Sequence, residues 1–467
     1  MTVYVIDAVR TPRGRGNDKG SLKVVRPIDL MGQTLKALAA RTSLDTSKVA
    51  DVLIGCVTQT ADQGSNLAKL SLIAAGWSDA APGMTVNRYC ASGLSAVNYA
   101  ALKAEHEDGV AVGGGVEMMS RVPVASDKGP LTHDFPFQQQ AVLLPIGIAA
   151  DTVATQYGFS RADCDAYALA SQQRAAQAQD EGRYHSLVPV IATDGGPLLS
   201  ADETPRRATT LETLAKLPAA FAEMGAKYGI DAIVCKHFGL AQVDHVHHAG
   251  NSPAMADGAS AVLLASEGAV KRHGFTPRAR IVAMADSSID RTIALTGAVD
   301  ATRGVLARAD LTVADIDLFE VNESFAALML HYEHQLDVPR EKLNVNGGAI
   351  ALGHAMGSTG SALLGTVLDE LERRLADADH VTRFEPAPIH AHAVDPGAVA
   401  AAEVCDLNPF GSQPERAVFA ADLGRSHADV TAFVATNHHF LGRYGELLSR
   451  QFACLYHQLC HLAISRA

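Results

Sequence analysis

Val86-Asn-Arg-Tyr-Cys-Ala-Ser-Gly-Leu-Ser-Ala-Val-Asn-Tyr-Ala-Ala-Leu-Lys-Ala104 is the stretch whose reading decides the fold. Gly83-Met-Thr-Val86 just before it reads as a short apolar strand, and Leu94 to Ala104 carries helix formers with an apolar face. Cys90 is thereby placed where a strand turns into a helix, with Ser92 and Gly93 opening the helix. Unpaired N–H groups and the helix dipole favour an anion at such a point and lower a thiol's pKa. Asn87 and Gly93 suit a tight turn that presses the sulfur toward a ligand. The plain alternative is a small buried cysteine beside a helix cap. The polar, glycine-punctuated setting favours a nucleophile.

Outward from this stretch, strands and helices alternate. Val3 to Ile6 reads as a buried strand, followed by a loop from Arg10 to Lys23 rich in Gly and basic residues. A helix from about Pro27 to Arg41, the strand Val52–Cys56 and a helix from Asn66 to Ala75 lead to Cys90. Val110-Ala-Val112 is a strand ending in three glycines, 113–115. From Arg121 to Val246 the composition turns to Gln, Asp and Arg on helices, which reads as an inserted domain. Residues 249–266 resume the apolar, glycine-rich style of the start.

The two ends of the chain repeat one another. Pro27 to Val57 runs helix, Leu44-Asp-Thr-Ser-Lys-Val-Ala-Asp51, strand, and Thr296 to Val321 runs helix, Leu311-Thr-Val-Ala-Asp-Ile-Asp317, strand. Thr85-Val-Asn87 before Cys90 is echoed by Asn344-Val-Asn346 before Gly347-Gly-Ala-Ile-Ala-Leu-Gly-His354. Such a repeat predicts an α/β fold of two related halves, with the matching turns facing each other and Cys90 and His354 in one cleft. Asn322 follows the strand Ile316–Phe319, at a strand end where α/β proteins bind ligands. Cys90, His354 and Asn322 then supply a nucleophile, a base and a polar orienter. Adjacent His247 and His248 should point to opposite faces, so no shared metal site is expected.

Composition sets the outer limits. A chain of 467 residues exceeds one hydrophobic core. Its 48% hydrophobic and 19% charged content suits a globular enzyme, and a net charge of −12 argues against nucleic acid or an anionic membrane as partner. Seven scattered cysteines with no CxxC pair suggest thiols in a reducing compartment, with cytoplasm expected. No run is long enough to span a bilayer, and the opening residues read as a strand rather than a signal peptide.

Residues 1–374 resemble the thiolase family of 3-ketoacyl-CoA thiolases and acetyl-CoA acetyltransferases. The resemblance rests on Asn87-Arg-Tyr-Cys-Ala-Ser-Gly93, Gly113-Gly-Gly-Val-Glu-Met-Met-Ser-Arg121, Asn322-Glu-Ser-Phe325 and Asn344-Val-Asn-Gly-Gly-Ala-Ile-Ala-Leu-Gly-His354. It implies an αβαβα core of two halves (1–120 with 247–270, and 271–374), a loop domain at 121–246 covering coenzyme A, and homodimers or homotetramers. A β-oxidation partner subunit is a further option. It also implies acyl transfer through a thioester on Cys90, with His354 activating the sulfur. His354 and a water held by Asn322 would bind the second substrate's thioester oxygen, and the Cys90 N–H would serve the other oxyanion hole. Coenzyme A and acyl-CoA would be substrates, with no permanently bound cofactor. Arg206 and Thr213 would meet the nucleotide end, and Ser252 and Gly353 would complete the CoA contacts.

The departures from the family pattern carry as much weight. The family's second cysteine, in a Cys-x-Gly-Gly-Gly turn near the end, has no counterpart among Cys405, Cys454 and Cys460, the last two on a helix-like stretch. Pro253 stands where the family has a Ser touching pantetheine, Ala355 where it has Pro, and Ser324 where it has Ala. His supplies 8 of the last 93 residues against 11 of the first 374, so composition changes where the resemblance stops. The repeat demands a glycine-ended strand near 377–390, and that strand is missing from the sequence. The strand-like runs Arg416–Leu423 and Asp429–Asn437 could fill the sheet but come too late to follow the preceding helix by a short turn, so the tail 375–467 is expected to pack irregularly and leave the second half incomplete. The expected activity is thiolytic cleavage of 3-ketoacyl-CoA or the reverse condensation. Beside it stand an impaired homologue that binds acyl-CoA or a partner, and a Cys-His-Asn acyltransferase or thioesterase.

Overall fold

The structure is a computed structural model and describes residues 2–377, 431–435 and 459–465. Its main sheet contains β1 (Val3–Arg10), β2 (Val49–Gly55), β3 (Met84–Val86), β4 (Val110–Met118), β5 (Ala256–Ser266), β6 (Ala279–Ser287), β7 (Leu318–Val321), β8 (Thr431–Ala435) and β9 (Leu459–Ser465). Their order is β7–β8–β9–β6–β1–β5–β4–β2–β3, with the two-residue arm Gly14–Arg15 paired to β5. In the first half β2 runs parallel to β3 and β4, while β5 is antiparallel to β4 and β1. The second half repeats this, with β7 parallel to β8 and β9 antiparallel to β8 and β6. Leu343 bridges Phe319 in parallel, at the place β3 takes beside β2. The halves join where β1 meets β6, Val3 opposite Ile281.

The principal helices are α1 (Pro27–Thr42), α2 (Leu67–Ala74), α3 (Ser92–His106), α4 (Ile146–Tyr157), α5 (Arg161–Asp180), α6 (Ile230–Phe238), α7 (Ala298–Ala309), α8 (Ala326–Leu336) and α9 (Met356–Asp377). Strand periodicity sorts their packing. Val110 and Val112 of β4 join the cluster holding Leu30, Leu35 and Leu38 of α1, while Ala111 between them joins Val97 and Ala100 of α3. Phe319 and Val321 of β7 join Val305 of α7 and Met329 of α8, whereas Leu318 joins Leu364 and Leu368 of α9. The curled sheet thus encloses α3 and α9, with α1 and α2 outside one half and α7 and α8 outside the other. That is the expected αβαβα layering. Ala96, Ala100, Ala101 and Ala104 are fully buried, as a helix enclosed by strands requires.

Two expectations are corrected. β4 does not end at Val112 but runs through its glycines to Met118. A Cβ on Gly113 would lie 2.4 Å from Val97 Cα, and one on Gly115 would lie 1.9 Å from Gly357 O, so the glycines admit α3 and α9 against the strand. The tail does not leave the second half short of strands. β8 and β9 fill the two sheet positions between β7 and β6, because those edges offer unpaired backbone groups that an apolar run can satisfy. Cys460 is therefore on strand β9, not on a helix. The glycine-ended strand due near 377–390 falls beyond the end of α9; it, the run Arg416–Leu423, Cys405 and Cys454 lie outside the described residues.

The stretch 121–246 holds α4, α5, α6 and shorter helices. His245 ties α4 to α6: its Nδ1 meets Asp151 at 2.8 Å and its Nε2 meets Asp231 at 3.1 Å. Burial opposes a charged ring, but the two carboxylates outweigh it and raise the His245 pKa to about 9. A raised folded-state pKa gives stability that is complete below the free-histidine value of ~6.5 and is lost as pH climbs through about 9. The urea midpoint of the wild type should therefore fall over this window relative to that of a His245→Gln variant. Parallel pH profiles for the two proteins would contradict the assignment.

Candidate active site

Cys90 is 2% exposed and lies two residues before the start of α3. The turn is held in a conformation a tyrosine rarely adopts: Tyr89 has φ +48. Side chains on either side hold it there. Asn87 Oδ1 accepts from the Tyr89 N–H at 2.8 Å, Ser92 Oγ accepts from the Arg88 N–H at 2.8 Å, and Asn87 Nδ2 donates to Val57 O at 2.9 Å. Cys90 belongs to one apolar cluster with Val57, Met119, Phe325 and Met356.

His354 precedes α9 as Cys90 precedes α3. A Cβ on Gly93 would lie 2.7 Å from Gly357 O and 2.9 Å from Ser361 Oγ, so the two helix starts are in contact. Each contact glycine lies three residues after its candidate catalytic residue. The buried Glu117 carboxylate fastens this junction, accepting from the N–H groups of Val57 (2.8 Å), Thr58 (3.1 Å) and Gly357 (3.0 Å) and from Gln63 Nε2 (2.8 Å). Burial pushes the Glu117 pKa upward, and these four donors pull against it. The histidine's own hydrogen bonds select its tautomer. Thr359 Oγ1 donates to Ala355 O at 2.9 Å and therefore accepts from the His354 Nδ1–H at 2.8 Å. Nε2 is left with its lone pair, and it has no partner among the described residues.

The loop 249–255 links the remaining residues. Ala254 O accepts from the His354 N–H at 2.8 Å, and Asn251 O accepts from the Ala326 N–H at 3.1 Å, just past Asn322. Asn322 is 1% exposed at the end of β7, its Nδ2 donating to Ser324 Oγ at 3.2 Å. Asn322 Oδ1 and Ser252 Oγ join His354 Nε2 among the buried polar atoms without a partner. Buried polar atoms left without a partner among the described residues are what a bound ligand would satisfy. Gly353 has φ +83, and a Cβ there would lie 2.8 Å from Ala256 Cβ, so the position needs glycine. Arg206 directs its guanidinium to the carbonyls of Ala249 (3.3 Å) and Gly250 (3.4 Å). Thr213 is exposed on the same segment, and its hydroxyl serves a helix cap with Thr210.

The sequence reading assigns no role to Thr359, Arg13 or Glu117, although Glu117 lies within the motif from Gly113 to Arg121. Thr359 follows His354 by five residues, about one helical turn into α9, and that spacing is the one signal that could have found it. His247 and His248 lie in a loop rather than a strand. Their rings go to different aspartates, Asp151 at 2.7 Å and Asp165 at 2.7 Å.

A buried cysteine and a histidine, each just ahead of one of two helix starts that touch, are residue types that covalent acyl transfer uses, here on a five-layered α/β frame. Known proteins place the chain further. The thiolase N-terminal domain profile matches residues 3–231 and the thiolase C-terminal domain profile matches residues 275–382. The beta-ketoadipyl-CoA thiolase of Pseudomonas aeruginosa is 40% identical over 394 residues, covering 79% of this chain and 93% of that protein. The mitochondrial 3-ketoacyl-CoA thiolase of Pongo abelii is 37% identical over 388 residues, covering 80% and 92%. The crystal structure of human mitochondrial 3-ketoacyl-CoA thiolase in complex with CoA matches with a TM-score of 0.74 at 29% identity, over 100% of this chain and 98% of that one. This chain belongs to the thiolase family, and it is an acyl-CoA acyltransferase. No described helix is long and apolar enough to cross a membrane.

Proposed function

We propose that Cys90, His354 and Asn322 form one active site that cleaves 3-ketoacyl-CoA with coenzyme A, or runs the reverse condensation. The observation that carries this reading is the pair of facing helix starts, Gly93 against Gly357, with His354 Nε2 open. In the cleavage direction His354 Nε2 takes the Cys90 proton. The sulfur adds to the 3-keto carbon, the C2–C3 bond breaks, and its electron pair leaves on the acetyl-CoA enolate, which takes a proton from solvent. A second coenzyme A thiol then attacks the Cys90 thioester, releases its proton to solvent and leaves as acyl-CoA, while the Cys90 thiolate takes its proton back from His354. The Cys90 N–H serves the tetrahedral oxyanion on Cys90, and His354 with an Asn322-held water serves the thioester oxygen. Thiolysis of acetoacetyl-CoA and longer 3-ketoacyl-CoAs tests the reading, with CoA-dependent loss of the 3-keto species as the expected result.

Arg206 and the segment carrying Thr213 take the nucleotide end, with Ser252 and Gly353 along the arm that leads to His354. An adenine stacked on a guanidinium is worth ~1.4 kcal/mol, about tenfold in binding. Arg206→Ala should accordingly raise the KM for CoA roughly tenfold with little change in kcat, because the contact is remote from the chemistry. Steady-state kinetics that show an unchanged KM would remove Arg206 from the site.

Homodimerisation goes with this reading. β3 is an edge of the main sheet, and Met84 on it (47% exposed), Ile73 (60%) and Leu102 (47%) present apolar side chains to solvent. Light scattering should give a dimer or a multiple of it, and Met84→Lys should shift the population toward monomer. A monomeric wild type would exclude this interface.

A further inference from the structure

Arg13 is a buried cation near the candidate site that the proposed chemistry leaves unused. It is 5% exposed and comes from the loop that follows β1. Its neighbour Arg10 forms a bidentate pair with Asp202, at 2.8 and 2.9 Å, and Asp202 also accepts the Arg13 backbone N–H at 2.7 Å. Asp202 is thus engaged by Arg10. No carboxylate lies within ion-pair distance of the Arg13 guanidinium among the described residues. Burying an unpaired guanidinium is costly, so a fold that holds one there has another constraint on it.

The guanidinium reaches two groups, both next to His354. Arg13 donates to Thr359 Oγ1 at 3.2 Å and to Gly353 O at 3.4 Å, the residue preceding the histidine. The fold leaves room for the reach: a Cβ on Gly258 would lie 3.1 Å from Arg13 Cδ. Thr359 Oγ1 has one proton, and it goes to Ala355 O. Both lone pairs of that oxygen are therefore acceptors, one for Arg13 and one for the His354 Nδ1–H. A hydroxyl polarised by a fixed cation has its rotor locked, and a locked rotor fixes the ring that bonds to it.

We propose that Arg13 is a positioning residue for the candidate base: through Thr359 and Gly353 it holds the His354 ring in the orientation and tautomer that presents an unprotonated Nε2 to the Cys90 thiol. The assignment rests on the proposed roles of Cys90 and His354. Arg13 itself touches neither the sulfur nor the reacting carbon. Its effect should appear in the rate of acyl transfer to Cys90 and not in the affinity for coenzyme A.

The test is the rate of Cys90 acetylation by acetyl-CoA, followed by quench and peptide mass spectrometry across a range of acetyl-CoA concentrations. Wild type, Arg13→Met, Arg13→Lys and Thr359→Val are compared. Misorientation of a catalytic group by about 1 Å can cost on the order of a hundredfold, so partial loosening should cost R13M and T359V each ~10-fold or more in limiting rate. Half-saturation should stay within about twofold, R13K should recover part of the rate, and R13M/T359V should be no slower than either single variant, as one chain of contacts requires. R13M at the wild-type limiting rate overturns the proposal. So does a rise in half-saturation that matches the loss in rate, which would mark a binding or structural role. Should R13M not fold, T359V decides, and wild-type behaviour there overturns the proposal equally. A wild type that takes no acetyl group on Cys90 overturns the parent reading and this one with it, which separates the two failures.

Discussion

Replacing Cys90 by Ala should abolish thiolysis, lowering kcat by at least ~10⁴-fold, the scale seen when a covalent nucleophile is deleted. The expectation follows from the one covalent route the site offers. The sulfur stands just before α3, in a turn held at Tyr89 by Asn87 and Ser92, and the start of α3 touches the start of α9, which His354 precedes. Of the other described cysteines, Cys56 and Cys164 are buried where desolvation pushes their pKa values well up, which makes them inert. His354→Ala should cost less, ~10²- to 10⁴-fold, since it removes a general base and leaves the nucleophile and oxyanion donors. The check is thiolysis of acetoacetyl-CoA by both variants, with thermal unfolding to show that each is folded. Cleavage by C90A at more than a hundredth of the wild-type rate would transfer the nucleophile's role elsewhere.

The second large effect is a separation of the two half-reactions in the unmodified chain. Acylation of Cys90 needs the thiol, the His354 nitrogen and one set of oxyanion donors. Carbon–carbon cleavage needs in addition an acid for the departing enolate, and the sequence has no counterpart of the glycine-flanked turn whose cysteine, by the family resemblance, has that role. A missing positioned acid/base costs ~10²- to 10⁴-fold. Acetyl transfer from acetyl-CoA to Cys90 should therefore outpace steady-state thiolysis by about that factor, and a hydrolytic leak of the acyl-enzyme should become visible. Parallel stopped-time assays of both reactions on one preparation measure the ratio. A ratio near one would mean that another residue protonates the enolate.

Much of this architecture was legible because it is local. A strand followed by a glycine-opened helix marks the Cys90 turn, and its echo at Asn344–His354 marks the facing turn. Two copies of one pattern predict the pseudo-symmetric junction at which Gly93 meets Gly357. What was not legible depends on partners distant in sequence. The glycines after Val112 read as a strand end, yet they belong to β4 because α3 and α9 press against it, and no local pattern records that contact. The run Asp429–Asn437 reads as a strand and contains β8, but the sheet positions of β8 and of Leu459–Ser465 were not legible, for a related reason. Strand pairing there is decided by the open edges of β6 and β7, which exist only once the rest of the sheet is built. Arg13 and Thr359 carry no motif of their own, and their place beside His354 comes from a loop and a helix more than three hundred residues apart in the chain.

The most direct measurement of the central claim is a mass-spectrometric map of the protein after brief exposure to acetyl-CoA, for wild type and for His354→Ala. One acetyl group per chain, confined to the Cys90 peptide and formed ~10²-fold or more slowly without His354, is the predicted result. An unlabelled Cys90, or equal labelling with and without His354, would contradict it.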